Sequence, residues 1–347
     1  MISLLIKCFR KTISLLEAVD LRSSNGISKI PSLAGMECQI GAKPLSSEMA
    51  THKILENLFL VDLDLPLPGF SSFISSWIIK EGDRGIIIDP GPASTINTLR
   101  KVLKETGIER IDYILLTHIH LDHAGGCGDL IKGYPDSVIF CHPQAVTHLI
   151  DPENLWRGSV KVLGDLAKSY GQPSPVNRER ICSESNIIWK DYTIQSLETP
   201  GHASHHLCFF FKNLVFAGEV AGISLPSGGK HYIRPATPSP FMPDIALHSI
   251  SLVIERRPQL ICYGHYGILE DAVTMLQMAK KQIRFWLTII KDRQDKGLNL
   301  DEEEIFAEIL AKDSHLSTFH QLESDTQKRE VYFINNSIKG MVGFING

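Results

Sequence analysis

The residues best suited to chemistry lie at positions 117–126, in the segment Thr-His-Ile-His-Leu-Asp-His-Ala-Gly-Gly. Six of these positions hold three histidines and one aspartate, which are His118, His120, Asp122 and His123. Neutral imidazole and carboxylate together suit zinc, iron or manganese. The segment follows an apolar run at 111–116 that is short enough to be a buried strand. Alternate side chains of an extended chain point the same way, so His118 and His120 would face one ion.

Further metal-binding side chains are expected, because four ligands so close together cannot all reach one tetrahedral ion comfortably. Three more donors come just after apolar runs and beside glycines: His202, Glu219 and His265. Active-site groups often gather in this way on loops along one edge of a rigid sheet. The two glycines after His123 predict a tight turn into a helix beginning near Cys127.

The order of these motifs resembles the metallo-β-lactamase superfamily of metallohydrolases. Its His-x-His-x-Asp-His pattern is intact at positions 118–123. The early aspartate of that family matches Asp89, its third-motif histidine matches His202, and its final histidine matches His265. The resemblance extends from about His52 to His265. It is specific for the fold and much less so for the substrate, because one fold supports many chemistries.

The resemblance implies a centre of two divalent metal ions, with zinc favoured and iron or manganese as alternatives. The implied ligands are His118, His120 and His202 for one ion, and Asp122, His123 and His265 for the other. A bridging carboxylate, which is an aspartate in most relatives, would here be Glu219. Glutamate is one methylene longer than aspartate, so it is left open whether a metal ion occupies the second site. Asp89 and His206 would hydrogen-bond to the ligand loops and hold them in place.

The activity that the resemblance implies is that of a metal-dependent hydrolase. A metal-bound hydroxide would cleave a small acyl substrate, such as a thioester, a lactone or a related ester. Asp122 would be the catalytic residue that orients the nucleophile or moves its proton. The His-x-His-x-Asp-His motif, followed by two glycines, resembles the motif of the glyoxalase II and lactonase branches of the superfamily. Two alternatives stay open: an oxygenase with a single iron, similar to persulfide dioxygenases, and a non-catalytic metal-binding protein.

The order of apolar runs predicts alternating strands and helices from residue 52 onward, which indicates an α/β protein. The resemblance implies a four-layer αββα sandwich of two mixed β-sheets, with additional C-terminal helices. We divide the chain into a poorly ordered extension at 1–48, a catalytic domain at 49–269 and a helical region at 270–347 that packs on it. Segment 226–243 is rich in proline and glycine and predicts a long functional loop. Within it, Tyr232 and Arg234 are candidate substrate-binding residues.

The amino-acid composition indicates which partners and which cellular compartment to expect. The net charge is −4 without a basic stripe, which argues against a nucleic-acid partner and leaves a small-molecule substrate. The seven cysteines form no Cys-x-x-Cys pair, which is typical of reduced thiols in a cytoplasm. The sequence predicts no integral membrane segment, and a homodimer is left open. Met49 is an alternative start, because the first predicted strand follows it almost directly.

Overall fold

The computed structural model describes residues 50–183 and 186–347. The predicted extension at 1–48 lies outside the described residues. Among those residues, no helix combines the length and the apolar character that crossing a membrane requires.

The first β-sheet has seven strands that lie side by side in chain order. Neighbouring strands run antiparallel from the first to the fourth and parallel from the fourth to the seventh. Its strands are β1 (Thr51–Leu55), β2 (Leu58–Asp62), β3 (Ser75–Glu81), β4 (Arg84–Ile88), β5 (Arg110–Leu115), β6 (Val138–Phe140) and β7 (Ile181–Cys182). The parallel strands β4 and β5 therefore end at the same edge of the sheet, where Asp89 and the histidine motif follow them.

A second β-sheet of six strands has the order β15-β14-β11-β10-β9-β8, and a separate two-stranded sheet pairs β12 with β13. All neighbours in the six-stranded sheet are antiparallel except β11 and β14, which are parallel. The strands are β8 (Asn186–Trp189), β9 (Tyr192–Glu198), β10 (Leu207–Phe211), β11 (Leu214–Gly218), β12 (Ile223–Ser227), β13 (Lys230–Arg234), β14 (Leu260–Tyr263) and β15 (Ile268–Glu270).

The two large sheets pack face to face through buried aromatic side chains. Trp77 of β3 meets Phe216 of β11 at 6.1 Å between ring centroids, and Phe140 of β6 meets Phe209 of β10 at 5.8 Å. Aliphatic residues fill the rest of this layer, and β3, β4 and β11 are buried along most of their length. The predicted α/β architecture with two mixed sheets is confirmed.

The helices bury apolar faces against this core. In the first helix, Ile96, Leu99, Val102 and Leu103 are buried, which is the spacing of one helical face. The helices are α1 (Ile96–Glu105), α2 (Leu121–Ala124), α3 (Cys127–Gly133), α4 (Val146–Ile150), α5 (Glu153–Leu163), α6 (Asp165–Tyr170), α7 (Pro243–Glu255), α8 (Ala272–Asp295), α9 (Glu302–Lys312) and α10 (Ser324–Ile345). The last three pack on one another, and α8 also contacts β13 and β14.

The segment at 226–243 is not the long loop that its composition predicts. Its first half completes the β12–β13 hairpin, in which Ser227 pairs with Lys230 across a two-residue turn. Gly228 and Gly229 both have positive φ angles, 55° and 74°, as that turn requires. The two adjacent glycines are a hairpin signal, and the prediction was wrong because it treated them only as loop residues.

The two glycines of the histidine motif, Gly125 and Gly126, do not form the tight turn that the sequence predicts. A helix does begin at Cys127, but Gly125 and Gly126 have ordinary helical φ angles of −56° and −86°. A Cβ on Gly126 would lie 2.4 Å from Cδ1 of Ile96 and 3.1 Å from the carbonyl oxygen of Gly91. Close packing of the corner between α2 and α3, rather than an unusual turn, therefore requires glycine here.

Candidate metal centre

The candidate ligands come from loops at the carboxyl ends of strands in both sheets. Residues 116–123 follow β5, residues 199–206 follow β9, Glu219 follows β11, and His265 follows β14. In β11 the pairing with β14 skips one residue between Phe216 and Gly218, which is a β-bulge. Bulges at strand ends re-aim the side chains that follow them, and this one precedes Glu219.

The first group of ligand atoms comprises His118, His120, His202 and Glu219, whose donor atoms all lie within 4.8 Å of one another. Nδ1 of His120 lies 3.0 Å from Nε2 of His202. Nε2 of His118 is buried and has no hydrogen-bond partner among the described residues. A buried nitrogen without a partner is costly unless something else binds it. This group therefore fits a metal ion.

The second group comprises Asp122, His123 and His265. Nε2 of His123 lies 3.1 Å from Nε2 of His265, and Oδ2 of Asp122 lies 3.3 Å from the same nitrogen of His265. His123 and His265 are buried, whereas 15% of the Asp122 side chain is exposed. The group is therefore open to solvent on the side of Asp122.

Glu219 lies between the two groups. Its Oε2 is 2.9 Å from Nε2 of His202 and 3.4 Å from Nε2 of both His118 and His123. Its Oε1 is 3.9 Å from Nε2 of His265. Two ligands of one ion with bonds of about 2.1 Å can be at most about 4.2 Å apart. All four distances are within that limit, so this carboxylate can reach ligands of both groups.

Nδ1 of His202 and Nδ1 of His265 are hydrogen-bonded, which turns Nε2 of each of these two rings inward. Nδ1 of His202 donates to the carbonyl oxygen of Ala236 at 3.0 Å. Nδ1 of His265 donates to the carbonyl oxygen of Phe73 at 3.1 Å. Such partners fix both the ring orientation and the tautomer of a metal-binding histidine. Neither carbonyl could be found from the sequence, because any residue can supply one.

Asp89 connects two further ligands. Its carboxylate accepts hydrogen bonds from Nδ1 of His123 at 3.0 Å and from the hydroxyl and backbone nitrogen of Thr117 at 2.6 and 2.7 Å. Because the Thr117 proton is given to Asp89, its oxygen is free to accept from Nδ1 of His118, which lies 3.0 Å away. Asp89 is buried and has a positive φ of 52°, a strained backbone typical of functional sites. Sequence analysis singled out Asp89 but missed Thr117.

His206 holds the backbone of the carboxylate ligand. Its Nε2 accepts a hydrogen bond from the backbone nitrogen of Glu219 at 3.1 Å, and its Nδ1 contacts the hydroxyl of Thr199 at 2.8 Å. Gly218 has a φ of 49°, and a Cβ there would lie 2.5 Å from Nε2 of His206. Glycine at this position therefore allows the contact that places Glu219.

Burial favours the neutral form of His118 and His120. Burial, together with the neighbouring imidazoles, lowers the pKa of His118 well below its usual value. Burial and the nearby His202 lower the pKa of His120 to about 3. Neutral imidazole is the form that binds a metal, so these rings need not lose a proton at pH 7.

In the second group the pKa of a histidine is raised instead of lowered. Burial lowers the pKa of His123, but the carboxylates of Asp122, Asp89 and Glu219 outweigh it and raise that pKa well above its usual value. Burial raises the pKa of Asp122, but His123 and His265 outweigh it and lower that pKa to about 2. The carboxylates around His123 therefore favour positive charge at the place that the second ion would occupy.

The two candidate substrate-binding residues lie in a buried cluster instead of on an exposed loop. Tyr232 and Arg234 are 0% and 3% exposed. Arg234 donates through Nε to Oε2 of Glu330, a residue of α10. Phe73 of the loop before β3 stacks on His265 with 4.3 Å between ring centroids. Sequence analysis missed Phe73 and Glu330, because no motif marks either residue.

Comparison with known proteins agrees with this geometry. The model of the metallo-beta-lactamase superfamily matches residues 71–265, more than half of the chain. A metallo-beta-lactamase fold-containing protein of Sulfurisphaera tokodaii is 25% identical over 233 residues, which is 65% of this chain and 82% of that protein. A hydroxyacylglutathione hydrolase of Xylella fastidiosa is 28% identical over 215 residues, which is 61% of this chain and 67% of that protein.

A solved structure supports the fold. The archaeal metallo-beta-lactamase superfamily protein from Sulfolobus tokodaii superposes with a TM-score of 0.58 at 19% identity, covering 81% of this chain and 98% of that one. The family match also spans the strand-end loops that carry the two ligand groups. The chain therefore belongs to the metallo-beta-lactamase superfamily and is a metal-dependent hydrolase.

Proposed function

We propose that the enzyme is a binuclear hydrolase that cleaves small acyl substrates, such as thioesters, lactones or related esters. The observation that carries the binuclear part is the position of Glu219, with one oxygen 3.4 Å from ring nitrogens of both His118 and His123. The first of these histidines belongs to one ligand group and the second to the other. These distances support a bridging role for Glu219, whose side chain is long enough to approach both groups.

The proposed ligands are those of the two groups, with Glu219 shared between them. Imidazole and carboxylate donors in this mixture suit zinc, with iron and manganese as alternatives. Two divalent ions held here would supply an activated water and positive charge for the developing oxyanion. Asp89, Thr117 and His206 position these ligands through the hydrogen bonds described above.

Asp122 is the proposed catalytic residue among the ligands. Its side chain is 15% exposed, whereas that of His123 is 1% exposed, so an entering substrate or water can meet the Asp122 carboxylate. Its pKa of about 2 results from His123 and His265, which outweigh burial, so it is ionised at pH 7. An ionised carboxylate at this position can accept a proton from a water molecule. It can also orient that water molecule toward the acyl carbon.

The acyl part of the proposal is supported by the relatives named hydroxyacylglutathione hydrolase, at 27–29% identity. The compartment that we propose is the cytoplasm. It is supported by five cysteines that are free among the described residues, four of them buried: Cys127, Cys141, Cys182, Cys208 and Cys262. Two further points remain predictions. One is that the substrate is a small molecule and not a nucleic acid, and the other is that the protein forms a homodimer.

The test combines metal analysis with a substrate panel. Protein purified without added metal should contain about two zinc or similar ions per chain and should hydrolyse at least one member of a panel of thioesters, lactones and esters. His120→Ala should lose both metal at the first site and activity. Inertness of fully loaded protein toward the whole panel would contradict the acyl assignment. About one iron per chain, with oxygen uptake on glutathione persulfide, would instead support the oxygenase alternative.

A further inference from the structure

A groove between α7 and α8 carries positive charge that no carboxylate balances. Its lining includes three cationic side chains, those of Lys280, Lys281 and Arg284, and one carboxylate, that of Glu255. Lys280 donates to the hydroxyl of Ser251, and none of the three cations forms an ion pair with a carboxylate of the described residues. The groove is therefore a basic site in a chain whose net charge is −4.

The spacing of these cations is unfavourable for the helix by itself. Lys280 and Arg284 are four residues apart on α8, and Lys281 and Arg284 are three residues apart. Side chains at these separations are neighbours on a helix, and like charges there destabilise it. An anionic partner in the groove would remove this repulsion.

The two helices run antiparallel. Ser251 of α7 contacts Lys280 of α8, and farther along α7 the groove is lined by Glu255 together with Gln277, which comes earlier in α8. Residue numbers therefore rise along α7 in the direction in which they fall along α8. Positions before Ser251 lie beside positions after Lys280.

Exposed apolar side chains lie at one end of the groove. Ile245 is six residues before Ser251, and Phe285 is five residues after Lys280, so they lie about 9 and 7.5 Å from that contact in the same direction. Ile245 and Phe285 are 38% and 37% exposed, and Met242, directly before α7, is 57% exposed. We call these three apolar residues and the three groove cations the α7–α8 surface. Exposed apolar area with a basic border is typical of a surface that binds a partner.

The sequence contains a second feature of the same kind at residues 1–16, which lie outside the described residues. Apolar side chains recur at positions 2, 5, 6, 9, 13 and 16, the spacing of one helical face. Lys7, Arg10 and Lys11 lie between these positions. This pattern is typical of segments that lie at a membrane surface.

We propose that the α7–α8 surface docks on an anionic lipid membrane, with its cations at the phosphate headgroups and its apolar side chains among the upper acyl chains. Basic residues attract anionic headgroups, and apolar residues beside them are buried at the boundary with the acyl chains. A soluble polyanion would need the cations alone. Apolar residues accompany the cations both here and at positions 1–16, which favours a lipid surface.

The test is co-sedimentation of the metal-loaded full chain with sucrose-filled vesicles. The vesicles contain either phosphatidylcholine alone or phosphatidylcholine mixed with phosphatidylglycerol. We expect binding to the anionic vesicles at low salt and little binding to the neutral ones. Added salt should weaken the binding, because it screens the attraction between the cations and the headgroups.

Removal of two groove cations tests the electrostatic part. Lys281→Gln/Arg284→Gln should weaken binding to anionic vesicles about 25-fold, because each cation near such a surface contributes about fivefold. Both side chains are exposed and unpaired, so the fold should be unaffected. The control Lys101→Gln/Lys168→Gln removes the same charge on α1 and α6, at side chains that are 76% and 63% exposed, and should bind like wild type.

Removal of one apolar side chain tests the contact with the acyl chains. Phe285→Ser should weaken binding to anionic vesicles about tenfold, because it removes apolar area that the bilayer would bury. Val162→Ser is the control, since Val162 lies on α5 and is 76% exposed. Phe9→Ser tests the segment at 1–16 in the same assay and should also weaken binding.

No binding to anionic vesicles, or equal binding to neutral ones, would overturn the inference. Unchanged binding in both α7–α8 variants would also overturn it, even if Phe9→Ser weakens binding. Tight binding to heparin that Phe285→Ser leaves unchanged, without binding to vesicles, would identify a surface for soluble polyanions instead. These measurements do not depend on turnover, so the proposed hydrolase function stands or fails separately.

Discussion

Replacement of Glu219 by aspartate should separate the two metal sites. The change removes one methylene, so the carboxylate would retreat by about 1.5 Å if the backbone stays in place. The contacts of Oε2 with His118 and His123 are 3.4 Å each and would lengthen to nearly 5 Å. Two ligands of one ion are at most about 4.2 Å apart, so aspartate could no longer serve both groups.

The backbone has little freedom to follow the shorter side chain. The nitrogen of Glu219 donates to Nε2 of His206 at 3.1 Å, and Gly218 already packs against that same imidazole. We therefore expect one ion to be retained and the other to bind at least about 100-fold more weakly, because loss of an outer partner alone costs 10–100-fold. Activity should fall with the second ion and return in part at high metal concentration.

The assay is metal content after dialysis, followed by competition with a chelator of known affinity. Glu219→Gln tests the charge without changing the length. Glu198→Asp is the control for the substitution itself, because that side chain is 69% exposed. Two ions bound with wild-type affinity in Glu219→Asp would refute the bridging geometry.

Three further predictions concern the candidate metal ligands and Glu330, which is buried and paired with Arg234 and Arg329. His120→Ala should lose the first ion and at least about 100-fold in activity, since it removes a direct ligand; metal analysis and turnover check this. Binding of the second ion should release about one proton at neutral pH, because the raised pKa of His123 keeps it protonated until metal displaces that proton. Second-site affinity should then rise with pH, as calorimetry in buffers of different ionisation enthalpy would show, and no proton release would contradict this. Glu330→Gln should lower the free energy of unfolding by about 3–5 kcal/mol by leaving buried arginines unpaired. Glu302→Gln, whose side chain is 38% exposed, should change it little, and urea unfolding at pH 7 compares the two variants.

The candidate ligands could be named from the sequence where residues suited to metal binding are concentrated in a short segment. His118, His120, Asp122 and His123 are within six positions, and no packing requirement explains such a cluster at a strand end. The strands that carry the later ligands have apolar runs beside glycines, which is a local signal. For the same reason, the α/β class and most helices could be read from the order of apolar runs.

Long-range pairing was not predictable in the same way. Arg234 was a candidate for substrate binding from its place in a proline-rich segment, but its side chain is buried against Glu330, a residue 96 positions away. No local pattern distinguishes Arg329 and Glu330 from the other charged residues of a long helix. Their contacts depend on which face of α10 packs against β13 and the loop that carries Phe73.

The sequence by itself determined the family, the fold class and the set of side chains able to bind metal, because these depend on residue type and on short spacings. Only the tertiary structure decided where those groups meet. It placed Glu219 between two candidate ligand groups, aligned Nδ1 of His202 and of His265 with backbone carbonyl oxygens, and stacked Phe73 on His265. The physical reason is that ligand distances, hydrogen-bond partners and charge balance come from segments far apart in the chain, and packing alone sets their separation.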